Sequence, residues 1–111
     1  MRTPGEVAQA QLEAYNAHDP AALAACFTVD CEISDLFGAV TGRGREAVRA
    51  RYEALFQQYP RNRAVVLHRI VVGATVIDHE DIDRAPGGER FEAVAIYRVT
   101  DGLISHMSLA R

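Results

Sequence analysis

The densest group of side chains able to move protons or hold a cation is Asp78-His79-Glu80-Asp81. Neighbours on an extended chain point to opposite faces, so only Asp78 with Glu80, or His79 with Asp81, can share a side. No second His lies two residues away to complete a facial set of ligands, and no metal is expected there. Charged side chains are seldom fully buried, which makes a solvated edge or the rim of a subunit contact the expected setting. Asp35 stands before a turn at Leu36-Phe37-Gly38 with apolar neighbours. It is either a turn residue bonded to nearby backbone or a carboxylate at work in an apolar site. His68, in Val66-Leu67-His68-Arg69-Ile70, falls by alternation on the face of Val66 and Ile70. A core histidine bonded to a neighbour and a pocket acid both fit that position.

Tyr15, Tyr52 and Tyr97 read first as packing residues whose hydroxyls need partners if buried. Arg43, Arg45, Arg49 and Arg51 surround Gly42 and Gly44 at a helix start, the setting of a phosphate clamp. The spacing of Arg45 and Arg49 relative to Glu46 and Glu53 fits better a solvated helix face laced with ion pairs. No Walker or dinucleotide fingerprint is present. Cys26 and Cys31 form no CxxC pair and lack a matching His pair, so reduced thiols without a redox role are expected.

The elements that must position these groups are legible from caps and periodicity. Thr3-Pro4-Gly5-Glu6 starts a helix with a capping box and proline at the first position, running to about Asn16. Its apolar stripe is Val7, Ala8, Leu12 and Tyr15, and Gln11 falls inside that stripe, where its amide needs a partner. Asp19-Pro20 repeats the signal for a short Ala-rich helix to about Phe27. Val29 to Phe37 is a strand, Val40 to Gly42 a brief return strand, and Gly44 opens a third helix with a stripe of Val48, Tyr52, Leu55 and Phe56 that Pro60 stops. Arg63–Val72, Ala74–Asp83, Glu89–Thr100 and Leu103–Ala110 then read as strands separated by turns, of which Asp101-Gly102 is the strongest hairpin signal. Helices first and a four-strand antiparallel meander after make the class α+β. The 111 residues, 49% hydrophobic, suit one domain with a real core over positions 1–111.

All 12 basic residues are Arg, the formal charge is −3, and the cations are scattered, which disfavours nucleic acid as a partner. No apolar leader opens the sequence and no stretch approaches the ~18 apolar residues of a membrane span, so a cytoplasmic protein without a membrane partner is expected.

The element order, together with Tyr15-Asn16-Ala17-His18-Asp19, Phe27-Thr28-Val29-Asp30-Cys31-Glu32-Ile33-Ser34-Asp35 and Thr41-Gly42-Arg43-Gly44-Arg45-Glu46-Ala47, resembles the steroid delta-isomerase and SnoaL-like branch of the nuclear transport factor 2-like superfamily. The likeness spans nearly the whole chain. It implies a cystatin-like cone in which three N-terminal helices pack on a curved sheet around one pocket. It also implies a homodimer joined through the outer sheet face, with no cofactor. The family's general base falls on Asp35, and a carboxylate beside Leu36 and Phe37 suits proton abstraction next to a carbonyl. The chemistry also needs donors aimed at the developing oxyanion. The family's tyrosine donor falls on Gln11 and its protonated aspartate on Ala95, so the hole must be built differently here. Tyr15, His79 and His106 are the replacement donors, His106 at a position that lines the pocket in the family. Phe91, Ala93, Ala95 and Tyr97 face inward by the same likeness, while Glu92, Val94, Ile96 and Arg98 face a subunit contact.

Three readings follow. In the first the chain is an enzyme for a small hydrophobic molecule, with Asp35 as base or acid, Tyr15 and His106 assisting, and Gln11, Tyr52, His68, His79, Ala95 and Tyr97 around the substrate. In the second it is a ligand-binding or dimerisation module that has lost the isomerase donors. The third, epoxide opening by paired Asp and Arg, needs an Arg inside the cone, and alternation directs both mid-strand candidates, Arg69 and Arg98, outward.

Overall fold

The computed structural model describes residues Met1–Arg111. Helix α1 (Pro4–Asn16) is closed at its start by the full capping box: Glu6 N donates to Thr3 Oγ1 and Thr3 N to the Glu6 carboxylate. Helix α2 (Pro20–Ala24) is shorter than its sequence signal, because the chain turns extended at Phe27 to enter the sheet. Asp19 caps it, accepting from Ala22 N at 3.0 Å. Strands β1 (Phe27–Asp35) and β2 (Val40–Arg43) precede helix α3 (Arg45–Gln58), and β3 (Arg63–Val72), β4 (Thr75–Asp83), β5 (Arg90–Thr100) and β6 (Leu103–Ala110) complete the chain. The ion pairs expected on α3 are present, Arg49 reaching both Glu46 and Glu53. Arg45 instead donates through Nε and Nη2 to the Phe27 carbonyl and ties α3 to β1.

The six strands form one sheet in the order β2-β1-β6-β5-β4-β3. The meander runs inward from β3, and β6 lies parallel to β1, which makes the sheet mixed. The β5–β6 hairpin turns at Asp101 and Gly102 with φ of 51° and 78°, the two left-handed residues that match a tight turn to strand twist. Helix α1 packs across β3 to β6 and α3 against β1 and β2. Val7, Leu23, Phe27, Ile33, Val48, Val76, Ile104 and Met107 fill the space between the layers. The opposite face of the sheet carries no helix.

Two irregularities decide which side chains enter the cone. In β3 the register shifts between Val66, paired with Glu80, and His68, paired with His79, leaving Leu67 as an extra residue. A bulge of one residue reverses the faces beyond it. Arg69 therefore turns inward opposite Asp78, and His68 turns outward. In β6 the same thing happens at Ser105, since Arg98 pairs with His106 and Val99 with Ile104. Met107 and Ile104 are both buried, and His106 is left exposed on the outer face.

Candidate functional site

A cavity of about 650 Å³ opens between the helices and the concave sheet face, and 14 of its 21 lining residues are hydrophobic. Leu12, Leu55, Phe91, Ala93, Met107 and Leu109 make up much of the wall. The polar groups that line it are Gln11 and Tyr15 from α1, Arg51, Tyr52 and Gln58 from α3, Glu80 and Arg84 from β4 and its end, Tyr97 from β5, and Asp35 and Arg111.

Of the two carboxyl groups among them Asp35 is exposed, and Glu80 is the more deeply set. Burial, reinforced by the nearby Asp78 charge and partly offset by Arg69, pushes its carboxyl up from 4.5 to about 7. No protein donor is bonded to it. Beside it, Asp78 is fully enclosed and gripped by Arg69 through two parallel bonds, Nε to Oδ1 at 2.7 Å and Nη2 to Oδ2 at 3.0 Å. Arg69 also donates to Gln9 on α1. The pair lies behind the cavity wall rather than in it.

The expectation of a solvated Asp78–Asp81 cluster is therefore corrected for its two inward members. Strand β4 is interior to the sheet, and Val76 and Ile82 share their face with Asp78 and Glu80. That apolar flanking was a readable sign that the carboxylates point inward. His79 and Asp81 do face outward as alternation requires, His79 bonded to Glu92 at 2.6 Å and Asp81 to Arg90.

Gln11 finds its partner in Tyr97, whose hydroxyl donates to Oε1 at 3.1 Å. That leaves the Gln11 amide nitrogen, a donor at the cavity wall, with no protein acceptor. The Tyr15 hydroxyl accepts from Arg84 Nη1 at 3.0 Å, so its own proton is free for a ligand. Burial pushes the Tyr52 hydroxyl up to about 12 and the Tyr97 hydroxyl well above its ordinary range, so both stay protonated at all ordinary pH.

The remaining sequence candidates are divided. Asp35 lines the cavity but at its exposed mouth, and the turn after it is closed by main-chain bonds from Asp35 N to Ala39 O and from Gly38 N to Asp35 O. Ala95 is buried opposite Asp78, on the inner face with Phe91, Ala93 and Tyr97 but outside the cavity wall. His68, His79 and His106 are corrected: all three lie on the outer face, His68 and His106 because of the bulges, and His68 stacks on His79 at 5.5 Å. Arg69 is corrected in the opposite direction, while Arg98 is exposed as expected. Arg84 and its partner Asn62 went unnoticed in the sequence, since each sits in a turn segment without periodicity.

Residues 8–107 match the family model of the SnoaL-like domain. The chain belongs to that family, within the nuclear transport factor 2-like superfamily. Similar solved structures include an uncharacterised cystatin-fold protein from Novosphingobium aromaticivorans, 29% identical over 100% of both chains, with a TM-score of 0.93. A candidate polyketide cyclase from Sinorhizobium meliloti is 21% identical over 94% of this chain and 93% of its own, with a TM-score of 0.80. A protein of ketosteroid isomerase-like fold from Catenulispora acidiphila, solved with trimethylamine, is 19% identical over 98% of this SnoaL-like chain and 86% of its own, at 0.83. No curated protein matches.

Proposed function

We propose that this SnoaL-like protein catalyses cofactor-independent proton transfer at a carbon beside a carbonyl of a small hydrophobic molecule, with Glu80 rather than Asp35 carrying the proton. One observation carries the reading: Glu80 is a carboxyl held at about 7 on the wall of an apolar cavity. A base is most effective when its pKa lies near the working pH. The bond broken is C–H, its proton goes to the Glu80 carboxylate, and its electron pair moves into an enolate whose oxygen needs donors. The Gln11 amide nitrogen and the Tyr15 hydroxyl supply them, with Tyr52 and Tyr97 as further wall contacts and Ala95 as packing behind them. Return of the proton to a second carbon completes an isomerisation; in a cyclisation the enolate carbon instead bonds to a second carbonyl carbon of the same molecule, and the Glu80 proton goes to the alkoxide that forms. Asp35, at the mouth, is assigned to substrate entry. In this reading His106, His68 and His79 belong to a subunit contact in which a second copy covers the outer sheet face.

Epoxide opening is the weaker reading. The inner Arg–Asp pair it requires exists as Arg69–Asp78, but both charges are spent on each other behind the cavity wall.

The test is deuterium uptake at the α-carbon of a panel of cyclic enones and steroid ketones in D₂O, followed by proton NMR. Glu80→Gln is expected to slow exchange by roughly 100-fold or more, and Asp35→Asn to leave at least half of it. Loss with Asp35→Asn and retention with Glu80→Gln would return the base to Asp35. No exchange with any ketone would favour the binding-module reading.

A further inference from the structure

Arg84 is a cation on the cavity wall without a carboxylate partner. Both of its protein hydrogen bonds leave from the same nitrogen, Nη1 to Tyr15 Oη at 3.0 Å and Nη1 to Asn62 Oδ1 at 2.9 Å. The edge formed by Nε and Nη2 is bonded to nothing. Elsewhere in this chain that same edge makes both two-pronged grips on an acid: Arg69 holds Asp78 through Nε and Nη2, and Arg90 holds Asp81 in the same way. The guanidinium of Arg84 is also fixed in place, with its carbon 5.5 Å from the Tyr59 ring centre and 5.2 Å from that of Phe91. A planar cation restrained by two rings and two hydrogen bonds, its two-pronged edge free, is preorganised for a carboxylate.

The surroundings agree. Asn62 is buried, and its Nδ2 has no acceptor in the protein. Arg111, the other cation near Phe91, is already paired with Glu89. Arg51, also on the wall and without a carboxylate partner, is exposed and held only by one bond to Thr41 and the Tyr52 ring at 5.9 Å. Arg84 is the more enclosed of the two, fixed by two hydrogen bonds and two rings with its charge unspent.

We propose that the cavity takes a hydrophobic monocarboxylate, its carboxylate gripped side-on by Nε and Nη2 of Arg84 and its carbon skeleton lying on Leu12, Leu55, Phe91 and Met107. The proposal names the substrate class of the site described above. It rests on that cavity being a small-molecule site, but not on proton transfer by Glu80.

The experiment is calorimetric and NMR titration with matched pairs: benzoate, 2-naphthoate and fluorene-2-carboxylate, each against its neutral carboxamide. At least one acid is expected to bind the natural protein roughly tenfold or more tightly than its amide, the gain of a charge-assisted bidentate contact. Arg84→Gln is expected to erase that preference. Arg84→Lys, which keeps the charge but offers no planar edge, retains only part of it. If Arg84→Gln does not fold, the natural protein and Arg84→Lys still carry the comparison. No acid outbinding its amide would overturn the proposal, and so would a preference that survives Arg84→Gln. Acid preference without deuterium exchange on any ketone would leave this inference standing and sink the proton-transfer reading; exchange on neutral ketones without acid preference would do the reverse.

Discussion

Glu80 illustrates how a single side chain links the chemistry of a site to the stability of its fold. Its carboxyl, 9% exposed, sits at about 7 against an ordinary 4.5, mainly because burial penalises the charged form. A folded-state value raised above the unfolded one means that the native protein holds this proton more tightly. Its contribution is most favourable below about pH 4.5 and is lost as pH rises through about 7, where the native state must ionise a buried group. Glu80→Gln should therefore stabilise the protein by up to about 3 kcal/mol at pH 8 and by little at pH 4. Urea unfolding of both proteins at the two pH values measures this, and an equal difference at both would contradict it. Arg84 shows the opposite economy: two aromatic rings and two neutral acceptors hold its cation, and no protein anion neutralises it.

The elements were largely readable in advance, and what escaped was the parity of two strands. The capping box, the proline-started helices, the α3 stripe and the Asp101-Gly102 hairpin all depend on local chemistry that a sequence displays. The Leu67 and Ser105 bulges do not, because a bulge is fixed by how neighbouring strands pair and twist. Alternation counted straight through Val66 to Ile70 sends Arg69 out and brings His68 in, the reverse of what the bulge produces. Asp35 came from family likeness, whereas Glu80 was within reach from the alternation of Val76, Asp78, Glu80 and Ile82 on one uninterrupted strand. The rule that charges avoid burial outweighed that pattern, and the rule failed because Arg69 compensates Asp78. Arg69→Met leaves Asp78 buried without its cation and should cost about 3–5 kcal/mol, much of it recovered in Arg69→Met with Asp78→Leu. Urea midpoints of the single and double variants measure the effect. A single variant as stable as the natural protein would mean that Asp78 takes up a proton instead.

Taken whole, the molecule covers one sheet face with helices and leaves the other without a layer. Across that bare face run Ile70, Ile77 and Ile96 in register, with Val72 68% and Ile70 55% exposed beside the stacked His68 and His79. An apolar row flanked by charged groups such as Glu92 and Arg98 suits a subunit contact with a polar rim. Sedimentation equilibrium at micromolar concentration is expected to give about twice the 12.2 kDa chain mass, and Ile96→Glu to return it to a single chain; a 12.2 kDa species for the unaltered protein would remove the dimer. The parallel pairing of β1 with β6 has a further consequence, for timing. Ser34 meets Ser108 across a separation of 74 residues, and β1 has no neighbour but β2 until then. A ribosome building this chain in order exposes the first strand long before its main partner is made. Contacts between residues so far apart in sequence form slowly, because the loop between them must close first. Within the sheet, β1 with its Asp35 is joined to the cavity residues of β3, β4 and β5 only through β6, so the sheet side of the ligand site closes only once the last strand is in place.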